Sequence, residues 1–143
     1  MEIIVKRLRE QIQQIKVDIK EITNEIETYR KEGETEDSGV TREFLDKLEF
    51  LTDKVATLKK NLSIYENAKR TNFADIGKTV ELSSGQKATK VLTIVLPEDA
   101  NPQEGFISAE SPIGKAVLNK KEGETVAFET PMGSRELKIS KIQ

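Results

Sequence analysis

The sequence predicts an α+β protein. A long N-terminal antiparallel two-helix coiled-coil hairpin over residues 1–70 precedes a small, mainly antiparallel β domain with one short helix over residues 75–143. Three observations lead to this prediction. Two apolar heptad repeats of nearly equal length fill the first half of the chain. An acidic, glycine-containing segment at residues 32–37 separates them. Beyond residue 75 the apolar segments become short, β-branched and alternating.

Composition limits the classes of protein to which this chain can belong. Charged residues make up 34% of the 143 residues and apolar residues 36%, which suits a solvated helix pair joined to a small domain. The absence of cysteine and histidine excludes disulfides, thiolate nucleophiles and the commonest zinc ligands. A net charge of −2 argues against a protein that coats nucleic acid. Because no apolar run approaches the roughly 18 residues of a membrane span and no signal peptide is evident, we expect a cytoplasmic protein with no membrane association.

The spacing of apolar residues predicts both helices of the hairpin. In the first helix, the apolar residues three or four positions apart are Val5, Leu8, Ile12, Ile15, Ile19, Ile22, Ile26 and Tyr29. In the second helix they are Phe44, Leu48, Leu51, Val55, Leu58, Leu62 and Tyr65. Matched segments joined by a short turn can bury these stripes against each other within one chain, so we expect a monomer. The alternative is a parallel coiled-coil dimer with a break between the repeats, which would leave the matched lengths unexplained.

The segment between the helices concentrates negative charge. It contains the carboxylates of Glu32, Glu34, Glu36 and Asp37, and either Asp37 or Ser38 is the predicted N-cap of the second helix. Charge runs of this kind usually form solvated loops. Two carboxylates alone also make a weak magnesium site, which fits a half-site that another protein completes.

In the second half of the chain, alternation and turn residues predict five strands and one helix. The predicted strands are Thr79–Leu82, Lys90–Leu96, Phe106–Ser108, Thr125–Phe128 and Glu136–Ile139. The helix extends from Pro112 to Leu118, with Ser111 as its N-cap and Asn119 as a left-handed residue at its end. Since only this helix is expected to serve as a crossover, the strands are predicted to be mainly antiparallel.

Part of the second half resembles a known family. The run over residues 107–118 reads I-S-A-E-S-P-I-G-K-A-V-L and is similar to I-S-x-x-S-P-(I/L)-(G/A)-x-A-(L/I)-(L/I), a signature of the bacterial Gre transcript-cleavage factors. The later runs K-K-E-G-E-T-V and T-P-M-G, at residues 120–126 and 130–133, are also similar to that family. The hairpin with its acidic tip is similar to the Gre architecture as well.

The resemblance implies a partner and a mode of action. The C-terminal domain would have an FKBP-like fold and dock on bacterial RNA polymerase, at the rim of the secondary channel, through Ser108, Glu110 and Pro112. The hairpin would carry Glu34 and Asp37 to the polymerase active site. There they would help to hold a second Mg²⁺ and its attacking water, so that the polymerase cleaves backtracked RNA. The chain would bind no cofactor alone and would not be an enzyme, and the nascent RNA 3′ end is a further candidate partner.

The tip departs from the family pattern, which resembles G-D-(L/I)-x-E-N-(A/S)-E-Y. Here Glu34 stands where the family has Asp, and Asp37 stands where it has Glu. Both acids are retained, but their side-chain lengths are exchanged. One alternative is therefore a Gre-like modulator or inhibitor of the polymerase that does not stimulate cleavage. A coiled-coil chaperone or adaptor, whose hairpin clamps another protein, is the alternative from a different class.

Overall fold

The computed structural model describes residues 1–33, 38–68, 70–85 and 89–143 of the chain. These residues form two compact units. The first unit comprises Glu2–Leu62, and the second comprises Ser63–Gln143 together with Met1. The division falls within the second long helix, so the last turns of that helix belong to the second unit.

The first unit is the predicted antiparallel helical hairpin. Helix α1 spans Glu2–Lys31 and helix α2 spans Gly39–Ala68, each with 30 residues and therefore about 45 Å long. Ile12 and Ile15 of α1 form a buried cluster with Val55 of α2, against which half-buried residues pack. Those half-buried residues are Ile19, Leu51, Leu58 and Leu62. Because the early part of α1 meets the later part of α2, the hairpin is confirmed, and the residues of the predicted seam are the ones that the helices cover.

The second unit is a five-stranded mixed sheet with one short helix. Its strands are β1 Thr79–Ser83, β2 Thr89–Val95, β3 Phe106–Ser108, β4 Thr125–Thr130 and β5 Gly133–Ile142. They lie in the order β3-β2-β1-β5-β4. Three of the four pairings are antiparallel, as predicted. Helix α3 spans Pro112–Val117 and contributes Gly114 and Val117 to the buried residues of this unit.

One expectation about the sheet is wrong. Strands β2 and β3 pair in parallel, in the register Thr93↔Phe106 to Val95↔Ser108, although no α-helix connects them. The chain instead reverses twice between residues 96 and 105 through the 3-10 turns Pro97–Asp99 and Pro102–Glu104. These two tight turns bring the chain back alongside Thr93, where β3 begins, without a helical crossover. A short return is sufficient because β3 has only three residues.

Tyr65 joins the end of α2 to the sheet within the second unit. The side chain is fully buried, and its hydroxyl donates to a carboxylate oxygen of Asp99. The same hydroxyl accepts a hydrogen bond from the Leu96 backbone N–H at 3.0 Å. Burial, reinforced by the hydrogen bond to Asp99, raises the pKa of Tyr65 above that of an exposed tyrosine. The last turns of α2 are thus attached to the segment that follows β2.

Tyr65→Phe should lower the free energy of unfolding by about 1 to 3 kcal/mol, because the half-buried Leu96 N–H loses its acceptor. Urea denaturation followed by circular dichroism measures this loss. The stability that the neutral hydroxyl contributes is fully present below about pH 10 and is lost as the pH rises through the raised pKa, so this alkaline loss should be absent in Tyr65→Phe. Tyr29→Phe makes the same change in the hairpin, and equal effects of both variants would contradict the role given to Tyr65.

Candidate functional site

Helix α1 ends directly before the acidic run. The backbone N–H of Glu32 donates to the Thr28 carbonyl at 3.1 Å, and that of Gly33 donates to the Arg30 carbonyl at 3.3 Å. Gly33 has φ of +92°, in the left-handed region that terminates helices and that glycine adopts without steric cost. Glu32, one of the predicted tip acids, is exposed in this turn. The other three, Glu34, Glu36 and Asp37, lie outside the described residues.

Helix α2 begins with a serine cap. The Ser38 hydroxyl accepts a hydrogen bond from the Thr41 N–H at 3.3 Å, and the Ser38 carbonyl accepts one from the Arg42 N–H at 3.1 Å. Of the two predicted N-cap residues, Ser38 is therefore the one that caps the helix. Residues 34–37, three of which are acidic, therefore follow a left-handed glycine and precede a capped helix.

Two contacts next to the acidic run were not predicted as features of the site. The Ser38 hydroxyl also donates to the Thr41 hydroxyl at 2.8 Å, and Thr41 is only 1% exposed. The rings of Tyr29 and Phe44 stack with centroids 5.7 Å apart and planes inclined by 30°. Tyr29 and Phe44 are the last residue of the first predicted seam and the first of the second, so this contact had a sequence signal. For Thr41 the only sequence signal was its position three residues after a capping serine.

In the second unit, the structure brings the three predicted docking residues into one short turn. Ser108 ends β3, and its hydroxyl accepts a hydrogen bond from the Glu110 N–H at 3.1 Å. The Ser111 hydroxyl donates to the Ser108 carbonyl at 2.6 Å and accepts from the Gly114 N–H at 3.1 Å, which confirms Ser111 as the N-cap of α3. Glu110 and Pro112 are exposed on the surface of this turn.

Gly114 explains why this turn is tight. A Cβ atom at this position would lie 2.1 Å from the Ser108 carbonyl oxygen, so only glycine allows the approach of α3 to the end of β3. At the other end of α3, Asn119 adopts φ of +63°, as predicted for a left-handed residue after the helix. Both ends of α3 are therefore fixed, and the turn that carries Ser108, Glu110 and Pro112 has a defined shape.

A groove of about 560 Å³ lies in the same unit and was missed in the sequence. Apolar side chains form most of its wall, with charged and hydroxyl groups among them. The lining residues are Ser84, Lys90, Leu92, Pro102, Ile107, Ile113, Phe128, Thr130, Arg135, Glu136 and Leu137. Ile107 and Ile113 belong to the segments on either side of the docking turn, so groove and turn are neighbouring parts of one surface. Alternate residues of β2 and β4 line it, together with three consecutive residues of β5, and the alternation is the only signal that the sequence offered.

Comparison with known proteins identifies the family. A family model described as the C-terminal domain of the transcription elongation factors GreA and GreB matches residues 69–143. The transcription elongation factor GreA of Listeria welshimeri is 34% identical over 144 residues, which cover 95% of this chain and 89% of that protein. This chain belongs to the GreA/GreB family. It is therefore a transcription elongation factor, a protein that acts with RNA polymerase and is not an enzyme in its own right.

Further relatives of this Gre factor cover almost the whole chain. GreA of Caldanaerobacter subterraneus is 34% identical over 145 residues, covering 97% of this chain and 92% of that protein. Among solved structures, Gfh1 of Thermus thermophilus, described as GreA factor homolog 1, is 23% identical with a TM-score of 0.46. It matches 97% of this chain and 94% of its own. Family membership favours the transcription function over the chaperone or adaptor alternative.

Two other kinds of site are absent from the described residues of this Gre factor. Within the described ranges, no three or more acidic residues come together in a way that would hold a metal ion. None of the helices that the structure describes is long and apolar enough to cross a membrane.

Gly33→Ala should lower the free energy of unfolding by about 1 to 2 kcal/mol, because an L-residue pays a steric cost in the left-handed region. The cost is confined to the backbone, since a Cβ at Gly33 would meet no atom within 4 Å. Gly33→Asn should lose less, because asparagine tolerates this conformation. The matched control is Gly39→Ala, which also meets no atom within 4 Å but has no positive φ. Urea unfolding of the three variants that shows no difference between Gly33→Ala and Gly39→Ala would contradict this assignment.

Proposed function

We propose that this Gre factor binds the secondary channel of bacterial RNA polymerase and stimulates the polymerase to cleave backtracked RNA. The observation that carries the proposal is that the acidic run connects the end of α1 to the start of α2, two helices that pair as a rod about 45 Å long. In this proposal the rod carries the carboxylates to the polymerase active centre, and the second unit docks. The protein would act in the cytoplasm as a monomer, with the nascent RNA 3′ end close to its tip.

In this proposal Glu34 and Asp37 complete a magnesium site that the polymerase begins. Carboxylate oxygens are the ligands that Mg²⁺ prefers, but two of them fill only part of its octahedral shell. We therefore propose a shared ion, held by this chain only in the complex. Such an ion would supply a nucleophilic water and charge stabilisation for phosphodiester cleavage. Glu32 and Glu36 would add negative charge around the pair.

The second unit supplies the docking surface. Ser108, Glu110 and Pro112 lie in a turn whose shape is fixed by Gly114 and by the Ser111 cap. The neighbouring groove adds an apolar floor, with Lys90 and Arg135 among its lining residues. This combination suits a polymerase segment that presents an apolar side chain next to a carboxylate.

A second candidate function is favoured by the exchanged acids at the tip. Glu34 in place of Asp and Asp37 in place of Glu each change the side chain by one methylene, which moves the oxygens by about 1 Å. Magnesium requires nearly ideal octahedral geometry, so a displacement of this size can abolish its coordination. In that case the tip would occupy the channel and slow nucleotide addition without stimulating cleavage.

Replacement of both tip acids, Glu34→Ala with Asp37→Ala, should reduce cleavage of nascent RNA in stalled elongation complexes by at least about a hundredfold, because ligands of the shared ion are lost. Affinity for the polymerase should change little, since the proposed docking residues belong to the second unit. The control is Glu43→Ala with Asp46→Ala, which removes two exposed carboxylates from α2. Equal cleavage by both double variants would contradict the role of the tip acids. Slowed nucleotide addition without cleavage by the wild type would establish the second candidate.

Glu110→Lys should weaken binding to the polymerase by about tenfold, equivalent to about 1.4 kcal/mol, without changing the thermal midpoint. The residue is exposed, so charge reversal alters the docking turn without disturbing the core. Glu129→Lys, an exposed position on β4 between two groove residues, makes the same charge change on the opposite face. Titration of polymerase with both variants measures the effect. Weakening by Glu129→Lys alone would place the docking surface on the other face.

A further inference from the structure

Thr41 differs from the other described polar residues in its burial. It is the single polar side chain that counts as buried within the described parts of the chain, with 1% of its surface exposed. It lies in the first turn of α2, three residues after the capping Ser38. A hydroxyl withdrawn from water is unfavourable unless it is hydrogen-bonded, so its partner at this position is informative.

The partner of Thr41 is the cap itself. The Ser38 hydroxyl donates to the Thr41 hydroxyl at 2.8 Å and accepts from the Thr41 N–H at 3.3 Å. One serine hydroxyl therefore satisfies both a backbone and a side-chain group of the same residue. A valine at position 41 would keep the shape of the side chain and the backbone contact but would lose the bond between the hydroxyls.

A second contact joins the two helices at the same end of the rod. Phe44 lies three residues beyond Thr41 on α2 and stacks on Tyr29 of α1, with ring centroids 5.7 Å apart. Residues three apart on a helix lie on the same face, so Thr41 and Phe44 share the face of α2 that is turned toward α1. We name the Ser38–Thr41 pair and the Tyr29–Phe44 stack together the tip clamp.

We propose that the tip clamp holds the ends of both helices at fixed positions on either side of the acidic run, and that Thr41 is a positioning residue for Glu34 and Asp37. The inference deepens the proposed function and rests on it. Without the clamp, the first turn of α2 would fray, and residues 38–41 would lengthen the segment between the helices. Carboxylates that share a metal ion need positions accurate to well under 1 Å, which a longer segment does not provide.

The test separates positioning from stability. The tip-dependent effect is the difference between the effect of the native chain on the polymerase and that of the Glu34→Ala/Asp37→Ala variant. Thr41→Val should lower the maximum of this effect by about tenfold. The concentration that gives half of the maximal effect should stay unchanged, because the docking surface is intact. Thr41→Ser keeps the hydroxyl and should restore most of the effect. The matched control is Thr52→Val, which removes an exposed hydroxyl that bonds to the Leu48 carbonyl within the same helix.

Hydrogen exchange provides a readout that does not need the polymerase. The Arg42 amide, which donates to the Ser38 carbonyl, should exchange about tenfold faster in Thr41→Val than in the native chain or Thr52→Val. All activity assays are run well below the thermal midpoint of each variant, so global unfolding does not contribute.

Three results have different consequences. A full maximal effect with Thr41→Val, in a protein whose tip acids are required, overturns the inference and leaves the proposed function standing. An equal loss with Thr52→Val also overturns it, because the effect would then follow helix stability. Failure of the native chain to bind the polymerase overturns the proposed function and the positioning role together, and the exchange measurement still reports whether the clamp holds the end of α2.

Discussion

The two long helices are held together by one narrow apolar seam, and the function proposed for the tip depends on it. Helices of this composition gain little stability in isolation, because most helical stability in proteins comes from packing of an apolar face. Ile12, Ile15 and Val55 form the buried centre of the seam, and Tyr29 and Phe44 form its end next to the acidic run. If the seam opened, the end of α1 and the start of α2 would separate, and the proposed function of the tip would be lost.

In the proposed function the two units have different roles. The hairpin would carry the acidic run into the polymerase channel. The second unit supplies a turn of fixed shape, because Gly114 lets α3 approach the Ser108 carbonyl and Ser111 caps the helix. Recognition loops work best on a rigid scaffold, and here the scaffold is the mixed sheet with the buried core around Leu82, Ile94 and Ile139.

Features set by local sequence could be predicted, whereas those set by distant pairing could not. The heptad spacing predicted the seam, and the cap at Ser111 and the left-handed Asn119 followed from their own residue types. The parallel pairing of β2 with β3 was missed because three residues carry no signal for their partner. The groove was missed because its walls come from strands far apart in the chain. Thr41 was missed because threonine is usually exposed, whereas here only 1% of its surface is exposed.

In the proposed function the hairpin delivers its acidic tip to the polymerase active centre. The chain has no cysteine, so a single introduced cysteine can carry an iron chelate that generates hydroxyl radicals locally. The direct measurement is the cleavage pattern in a polymerase elongation complex with the chelate at Thr35→Cys, compared with Phe50→Cys, an exposed position farther along α2. Delivery of the tip to the active centre should give cleavage of the catalytic region and of the RNA 3′ end from position 35 and more distant cleavage from position 50. Identical patterns from both positions, or cuts from position 35 confined to the outer surface, would contradict it.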